Sequence, residues 1–372
     1  MHHYIWQNKN WTNFNWQEEK LLSVLSQTRL NQGKLISKIK ALGIDDATKA
    51  QAEILIAETV KTAQIEGEQY DLNEVRSSVN RRLGLSFAGL PEPKRHIEGL
   101  VEVLLDATSN FNRPLTIERL KSWQAALFPT GLSGLRKIRV GEFRDDSQGP
   151  MQVVSGPIGR EKVHYQAPPA YQLDQEMINF LSWWEQSLGK IDGLIRAGIA
   201  HFFFVTIHPF EDGNGRIARA LTDMALAQDD DLDKRYYSFS EQIVSSKQAY
   251  YQVLEKAQQV DTDITEWLVW FANCFNESLS ASGNLLESIF TKVNFWQKHF
   301  NIELSSHQKK VINKLLDVGK VNFQGSLTTR KYVSLTKVSR ATAYREINDL
   351  LKKGILKQNH GKGRSASYDI NW

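Results

Sequence analysis

A mainly α-helical chain in three parts is predicted, on three features of the sequence. Apolar residues recur with helical spacing along most of the 372 positions. One stretch, between about 138 and 169, breaks into short β-rich pieces set among glycines and prolines. The last seventy residues change composition and become strongly basic.

Residues 16–42 place Leu21, Leu22, Val24, Leu25, Leu30, Leu35 and Ile36 on one helical stripe that stops at Gly43. A second helix is expected from Ala47 to Ile65, ending near Gly67. Further helices fit 71–83, 93–109, 115–127, 171–188, 190–207, 214–228, 246–258 and 263–290. Inside this series, MQVVS and KVHYQ read as a hairpin whose loose turn holds Gly156, Pro157 and Gly159. Pro168 and Pro169 return the chain to helix. Three short helices at 305–318, 326–334 and 339–353, then strands near 355–358 and 366–370, follow the plan of a winged helix-turn-helix. The expected parts are a helical N-terminal domain (1–110), a helical core with a β-hairpin flap (111–280) and a small winged domain (281–372).

Composition narrows the function classes. The hydrophobic share of 41% and charged share of 24% are ordinary for a globular protein. The single cysteine, Cys274, excludes an intrachain disulfide and a Cys-rich zinc site, and suits a reducing compartment. The first residues lack the basic and apolar runs of a secretory signal, and no apolar stretch is long enough to span a bilayer. A cytoplasmic protein without membrane contact is expected. Residues 302–372 carry 14 Lys and Arg against 5 Asp and Glu, whereas the rest of the chain is mildly acidic. That asymmetry suggests two jobs, with an acidic partner for the tail.

The segment from His208 to Arg219, HPFEDGNGRIAR, is dense in chemistry. Two glycines join an apolar helix to a second helix, so backbone N–H groups can converge on an anion at a helix start. Arg216 and Arg219 are three apart on that helix and can face one polyphosphate. Asp212 is placed to hold a divalent cation that bridges phosphates. His208 is the natural general base, and Phe210 anchors the loop in the core.

These residues match HxFx(D/E)GNGRxxR at every specified position, and here the chain resembles the Fic family of protein adenylyltransferases. The resemblance implies that His208 deprotonates a target hydroxyl, which attacks the α-phosphorus of ATP as pyrophosphate leaves. It also implies that Asp212 binds Mg²⁺, that Gly213, Asn214 and Gly215 cradle the phosphates, that Arg216 contacts phosphate oxygens and that Arg219 clamps the γ-phosphate. A kinase-like branch carries Lys where this chain has Gly215, so glycine favours nucleotide transfer. TAQIEG, Thr62 to Gly67, resembles the family's (S/T)xxxE(G/N) inhibitory motif. It implies that Glu66 reaches the nucleotide site and occupies Arg219.

The 150–166 hairpin resembles the family's flap, which docks a target Tyr, Thr or Ser by strand pairing. A plain surface hairpin is the alternative. Tyr250 or Tyr251 would line the adenine pocket, with a buried core tyrosine as the other reading. The N-terminal segment, including YIWQ and IEGEQYDLNEVRSSVNRRLGL, resembles the helical domain attached to one group of Fic proteins. The implied activity is self-inhibited AMP transfer to a target protein and to the chain itself. AMP removal, transfer of another nucleotide such as UMP, and a nucleotide-sensing regulator remain alternatives. A homodimer is left open.

In the tail, Leu335, Val338, Ala341, Ile347, Leu350 and Leu351 are expected inward. Thr336, Lys337, Ser339, Arg340, Thr342 and Arg345 are expected outward or at helix ends. Lys357, Lys362 and Arg364 would meet phosphates from the wing. DNA binding through 302–372 is one reading, and protein contact or dimer packing is the other.

Overall fold

The computed structural model describes residues 4–372 apart from 42, 148, 157–159, 161, 260, 323–325 and 360–365. Its contacts divide the chain into two units, 1–282 and 283–372. The fold is mainly helical, with three two-stranded sheets among the described residues.

The first unit begins with α1 (Glu18–Lys40) and α2 (Ile44–Ile65), followed by α3 (Leu72–Arg82), α4 (Arg95–Ser109) and α5 (Ile117–Leu127). A small hairpin, β1 (Leu132–Ser133) and β2 (Arg136–Lys137), precedes the flap strands β3 (Gln152–Ser155) and β4 (Lys162–Gln166). Then come α6 (Leu173–Ser187), α7 (Gly193–Ile207), α8 (Asn214–Asp230), α9 (Phe239–Ser245), α10 (Lys247–Ala257) and α11 (Thr265–Lys298), whose residues from 283 on belong to the second unit.

The centre of this unit is the α7–α8 pair. From Ala197 to Ile207 every residue of α7 is buried, so the helix is apolar all round rather than striped. Phe202, Phe203 and Phe204 are fully enclosed, and Phe180 and Phe14 pack edge-on against them. α4 and α5 pack on α8, while α2 packs on α9 and α3.

The expected leucine stripe of α1 needs correction. Leu22 and Leu30 are 67% and 52% exposed, whereas Thr28 and Gln32 are buried. The buried face is set by partners: Gln32 Nε2 donates to Asp230 at 2.6 Å, and Arg29 pairs with Asp192 and Asp229. Leu21, Leu35 and Ile39 mark the same buried face, and the polar ends of α7 and α8 explain why Thr28 and Gln32 share it in place of Leu22 and Leu30. The short β1–β2 hairpin and α9 were also absent from the sequence reading. Two-residue strands carry no period, and α9 is only two turns long.

The second unit comprises α12 (Ser306–Asn322), α13 (Thr329–Thr336), α14 (Arg340–Lys352), β5 (Leu356–Gln358) and β6 (Tyr368–Ile370), with Phe295 of α11 joining its core. Ser339 caps α14, its hydroxyl accepting from the Thr342 N–H. Ile347 and Leu350 point inward as expected, but Ala341 is exposed and Ala343 takes the core position. Ala343 lies four and seven residues before Ile347 and Leu350, on the same helical face, whereas Ala341 is turned away from it. Thr336 closes α13 with its side chain buried, its hydroxyl donating to the Tyr332 carbonyl. Lys362 and Arg364 lie outside the described residues.

Candidate active site

The loop between α7 and α8 is shaped by its own backbone. His208 ends α7 in a left-handed conformation (φ 52°), its N–H bonded to the Phe204 carbonyl. Left-handed backbone costs a non-glycine residue roughly 1–2 kcal/mol, so other contacts must hold it there. Two side chains do so. Asn214 accepts from the Phe210 N–H at 3.0 Å and donates to the Phe210 carbonyl at 2.8 Å. Arg144, which is 3% exposed, donates to the His208 carbonyl at 2.8 Å and to the Pro168 carbonyl at 2.5 Å. The Arg144 N–H also donates to the Pro209 carbonyl.

The Asn214 side chain is thus bonded to the loop itself, and any share it takes in phosphate binding falls to its backbone N–H. Arg144 was missed in the sequence, where an arginine before two aspartates reads as a surface charge. Replacing it with lysine should lower unfolding stability in urea by about 2 kcal/mol, because one ammonium cannot reproduce the guanidinium fork. An unchanged midpoint would show that the clamp is dispensable.

His208 is half-buried, with Nδ1 3.2 Å from the Val205 carbonyl. A carbonyl only accepts, so Nδ1 carries the proton and Nε2 keeps its lone pair. Burial pushes the imidazole pKa down to about 4; Arg144 acts in the same direction, while the Val205 bond and the Asp212 and Glu66 carboxylates oppose it. At neutral pH the ring is an unprotonated base.

Arg219 is 1% exposed and held by the C-terminal end of α2. Its Nη2 donates to Glu66 Oε1 at 2.6 Å and to the Thr62 carbonyl at 3.2 Å, and its Nε donates to the Thr62 hydroxyl. Nη1 has no hydrogen-bond partner despite being buried. Glu66 also lies over the backbone of Gly215, where an added Cβ would come within 2.4 Å of its Oε1. Arg216 is equally buried: it donates to Glu68 at 3.1 Å, covers the Phe128 ring and leaves Nε unpartnered. The Thr62 and Glu68 contacts were not foreseen, although both residues stand within four positions of Glu66.

His208, Gly215, Arg219, Glu66 and Tyr250 line one cavity of about 560 Å³, roofed by residues of the flap. Asp212, Gly213, Asn214 and Arg216 are not among its lining residues. Tyr250 is a buried tyrosine that, like Tyr251, also lines this cavity. Its hydroxyl sits 2.9 Å from His201 Nε2. His201, whose pKa burial pushes down to about 3, was not singled out in the sequence.

Asp212 accepts from the Gly213 N–H at 2.6 Å and from the Ser133 hydroxyl of the small hairpin. No group of three His, Cys, Asp or Glu side chains able to hold a metal occurs among the described residues. A single hard carboxylate still fits Mg²⁺, which keeps several waters and takes phosphate oxygens from its substrate.

Residues 114–226, which contain this loop, match the model of the Fic/DOC family. The chain carries a Fic domain. Residues 4–85 match a domain of unknown function, DUF4172, and residues 313–368 a DeoR-like helix-turn-helix domain. Over 60 residues the chain is 42% identical to protein adenylyltransferase fic-1 of Caenorhabditis briggsae, covering 16% of this chain and 11% of that protein. Over 116 residues it is 27% identical to a probable protein adenylyltransferase, aq_aa38, of Aquifex aeolicus, covering 29% and 36%. The matched segment thus spans a small part of each curated relative.

The fold is similar to that of a Fic family protein from Desulfovibrio desulfuricans G20 (TM-score 0.53, 17% identity, 94% of this chain and 95% of that one). It is also similar to Fic-1 of Caenorhabditis elegans (TM-score 0.51, 19% identity, 72% and 74%). The glycine loop and the α8 N-terminus lie within the matched segment. The Glu66 carboxylate comes from α2, outside the matched segment. No helix among the described residues is long and apolar enough to cross a membrane.

Proposed function

We propose that the chain transfers AMP from ATP to a Tyr, Thr or Ser hydroxyl of a protein, and that Glu66 restrains this activity. The observation that carries the reading is the shared cavity: an imidazole with a free Nε2 and a buried guanidinium with an orphan Nη1 line the same space. A base alone suits many reactions, and an arginine alone suits any anion. Together they suit a triphosphate attacked by an alcohol.

In this reading the target hydroxyl docks beside the flap and gives its proton to His208 Nε2. Its oxygen then attacks the α-phosphorus, and pyrophosphate leaves. Arg219 neutralises the γ-phosphate through the donor that now lacks a partner. The N–H groups at the start of α8 take phosphate oxygens, and Asp212 holds Mg²⁺, which supplies positive charge against the leaving group. With Gly215 in place, no side chain intrudes between loop and phosphates. The test is transfer of label from α-labelled ATP to protein in a lysate, using the Glu66→Gly chain with Mg²⁺. Protein-bound label is expected, and its absence under conditions where ATP binds would overturn the reading.

A second role is supported by the surface of α14. Arg340, Tyr344 and Arg345 are exposed, while Ala343, Ile347 and Leu350 are buried. A basic, aromatic face on the second helix of a helix-turn-helix suits the DNA major groove. Retardation of duplex DNA by the full chain is expected, weakening with salt and lost in an Arg340→Ala/Arg345→Ala double variant. Equal retardation by that variant would exclude this face.

A further inference from the structure

Outside the loop, the flap brings together a second group of reactive side chains. The Ser155 hydroxyl of β3 lies 2.6 Å from His164 Nε2 on β4, and His164 Nδ1 lies 2.7 Å from Glu255 Oε2 on α10. Because a carboxylate only accepts, Nδ1 carries the ring proton and Nε2 accepts from the serine. This is a hydroxyl–imidazole–carboxylate chain, in which the carboxylate fixes the tautomer that makes the ring a base.

Two further observations indicate that the alignment is built into the fold. The β3–β4 ladder pairs Val153 with Tyr165 but Val154 with Val163, so His164 is the extra residue of a β-bulge. A bulge re-aims one side chain against the alternation of its strand. The backbone of His164 is also held, its carbonyl accepting from Gln259 Nε2 at 3.1 Å, and Lys162 lies 3.9 Å from the same Glu255. Ser155, His164 and Glu255 all line the cavity that His208, Gly215 and Arg219 line. Ser155 is exposed, so an electrophile in that cavity can reach it.

We propose that Ser155 is a nucleotidyl acceptor, taking AMP on its own hydroxyl from a nucleoside triphosphate held in the shared cavity. The inference rests on the reading that ATP binds there. The Ser155 hydroxyl proton passes to His164 Nε2, and Oγ bonds to the α-phosphorus. The bond from that phosphorus to the bridging oxygen breaks, releasing pyrophosphate and leaving a phosphodiester on the flap. Glu255 balances the imidazolium that forms. An AMP group on β3 then projects where a target strand would dock, so the modified chain is a poorer transferase.

The experiment incubates the full Glu66→Gly chain with ATP and Mg²⁺, then maps the tryptic peptide 145–160 by tandem mass spectrometry. The expected result is AMP on Ser155, lost in Ser155→Ala and formed about tenfold or more slowly in His164→Gln. ATP affinity, measured by calorimetry, should be nearly the same in all three chains. AMP on other hydroxyls with Ser155 clean overturns the proposal and leaves the transferase reading standing. Bound ATP with no adduct anywhere in the chain overturns it equally. Undiminished labelling in His164→Gln overturns the part given to the imidazole, and failure to bind ATP removes both readings.

Discussion

Replacing His208 with alanine will lower AMP transfer by about 10²- to 10⁴-fold, the usual contribution of a positioned general base, with little change in ATP affinity. The separation follows from the geometry. Phosphate binding is assigned to Arg219 and to the N–H groups at the start of α8, none of which needs the imidazole. The Asn214 and Arg144 contacts that shape the loop are made to backbone atoms and survive the substitution. Initial rates with α-labelled ATP, measured in the Glu66→Gly background, give the effect, and calorimetry gives the affinity. A variant that labels protein as fast as its parent would remove His208 from the reaction.

The same residue sets the acid limb of the rate. Only the unprotonated ring accepts a proton, and its pKa is pushed down to about 4. The rate should stay level as pH falls from 8 to about 5 and drop tenfold per unit only below about 4. An ordinary histidine would already fail below about 6.5. Removing the Glu66 carboxylate, which favours the charged ring, moves the limb further toward acid. A midpoint near 6.5 would mean that the ring is solvated in the working enzyme.

Replacing Glu66 with glycine will raise AMP transfer roughly 5- to 150-fold, the span of a coupling of about 1–3 kcal/mol. Its carboxylate does two things at once: it occupies Arg219 Nη2, and it covers the backbone of Gly215. A triphosphate needs both places. The rest of α2 should stay where it is. Glu58, two turns earlier, is buried and accepts from the Ser238 and Ser240 hydroxyls, while Thr59, Thr62 and Ala63 are fully enclosed. The proposed restraint would therefore lie in one side chain at the helix end rather than in a detachable helix. Thermal unfolding should shift to a lower midpoint without ATP, since the substitution leaves the buried Arg219 guanidinium without its carboxylate. Equal transfer by Glu66→Gly and the parent chain would show that this carboxylate is no brake.

The legible and illegible parts of the site differ in how far apart their partners lie. The loop between α7 and α8 was readable because its motif falls within twelve consecutive residues bracketed by two helices of clear pattern. The flap strands were readable because their β-rich pieces are bounded by Gly and Pro. The Arg219–Glu66 pair, 153 residues apart, was anticipated only through resemblance to a family motif. Arg144, His201 and the Ser155–His164–Glu255 chain carried no local signal. The α1 stripe was right at Leu21 and Leu35 and wrong at Leu22 and Leu30, because the buried face also takes the polar Thr28 and Gln32, the latter bonded to Asp230 at the end of α8.

The sequence alone determined that this chain has a helical body with a basic winged tail, and that a histidine and two arginines fall together around one helix start. Those properties depend on neighbours a few residues apart, where backbone geometry fixes distance. Only the tertiary structure decided which carboxylate sits on which arginine, which arginine clamps the loop rather than a ligand, and which flap hydroxyl meets an imidazole. These depend on side chains that packing brings together from distant segments, over distances that periodicity along the chain does not encode.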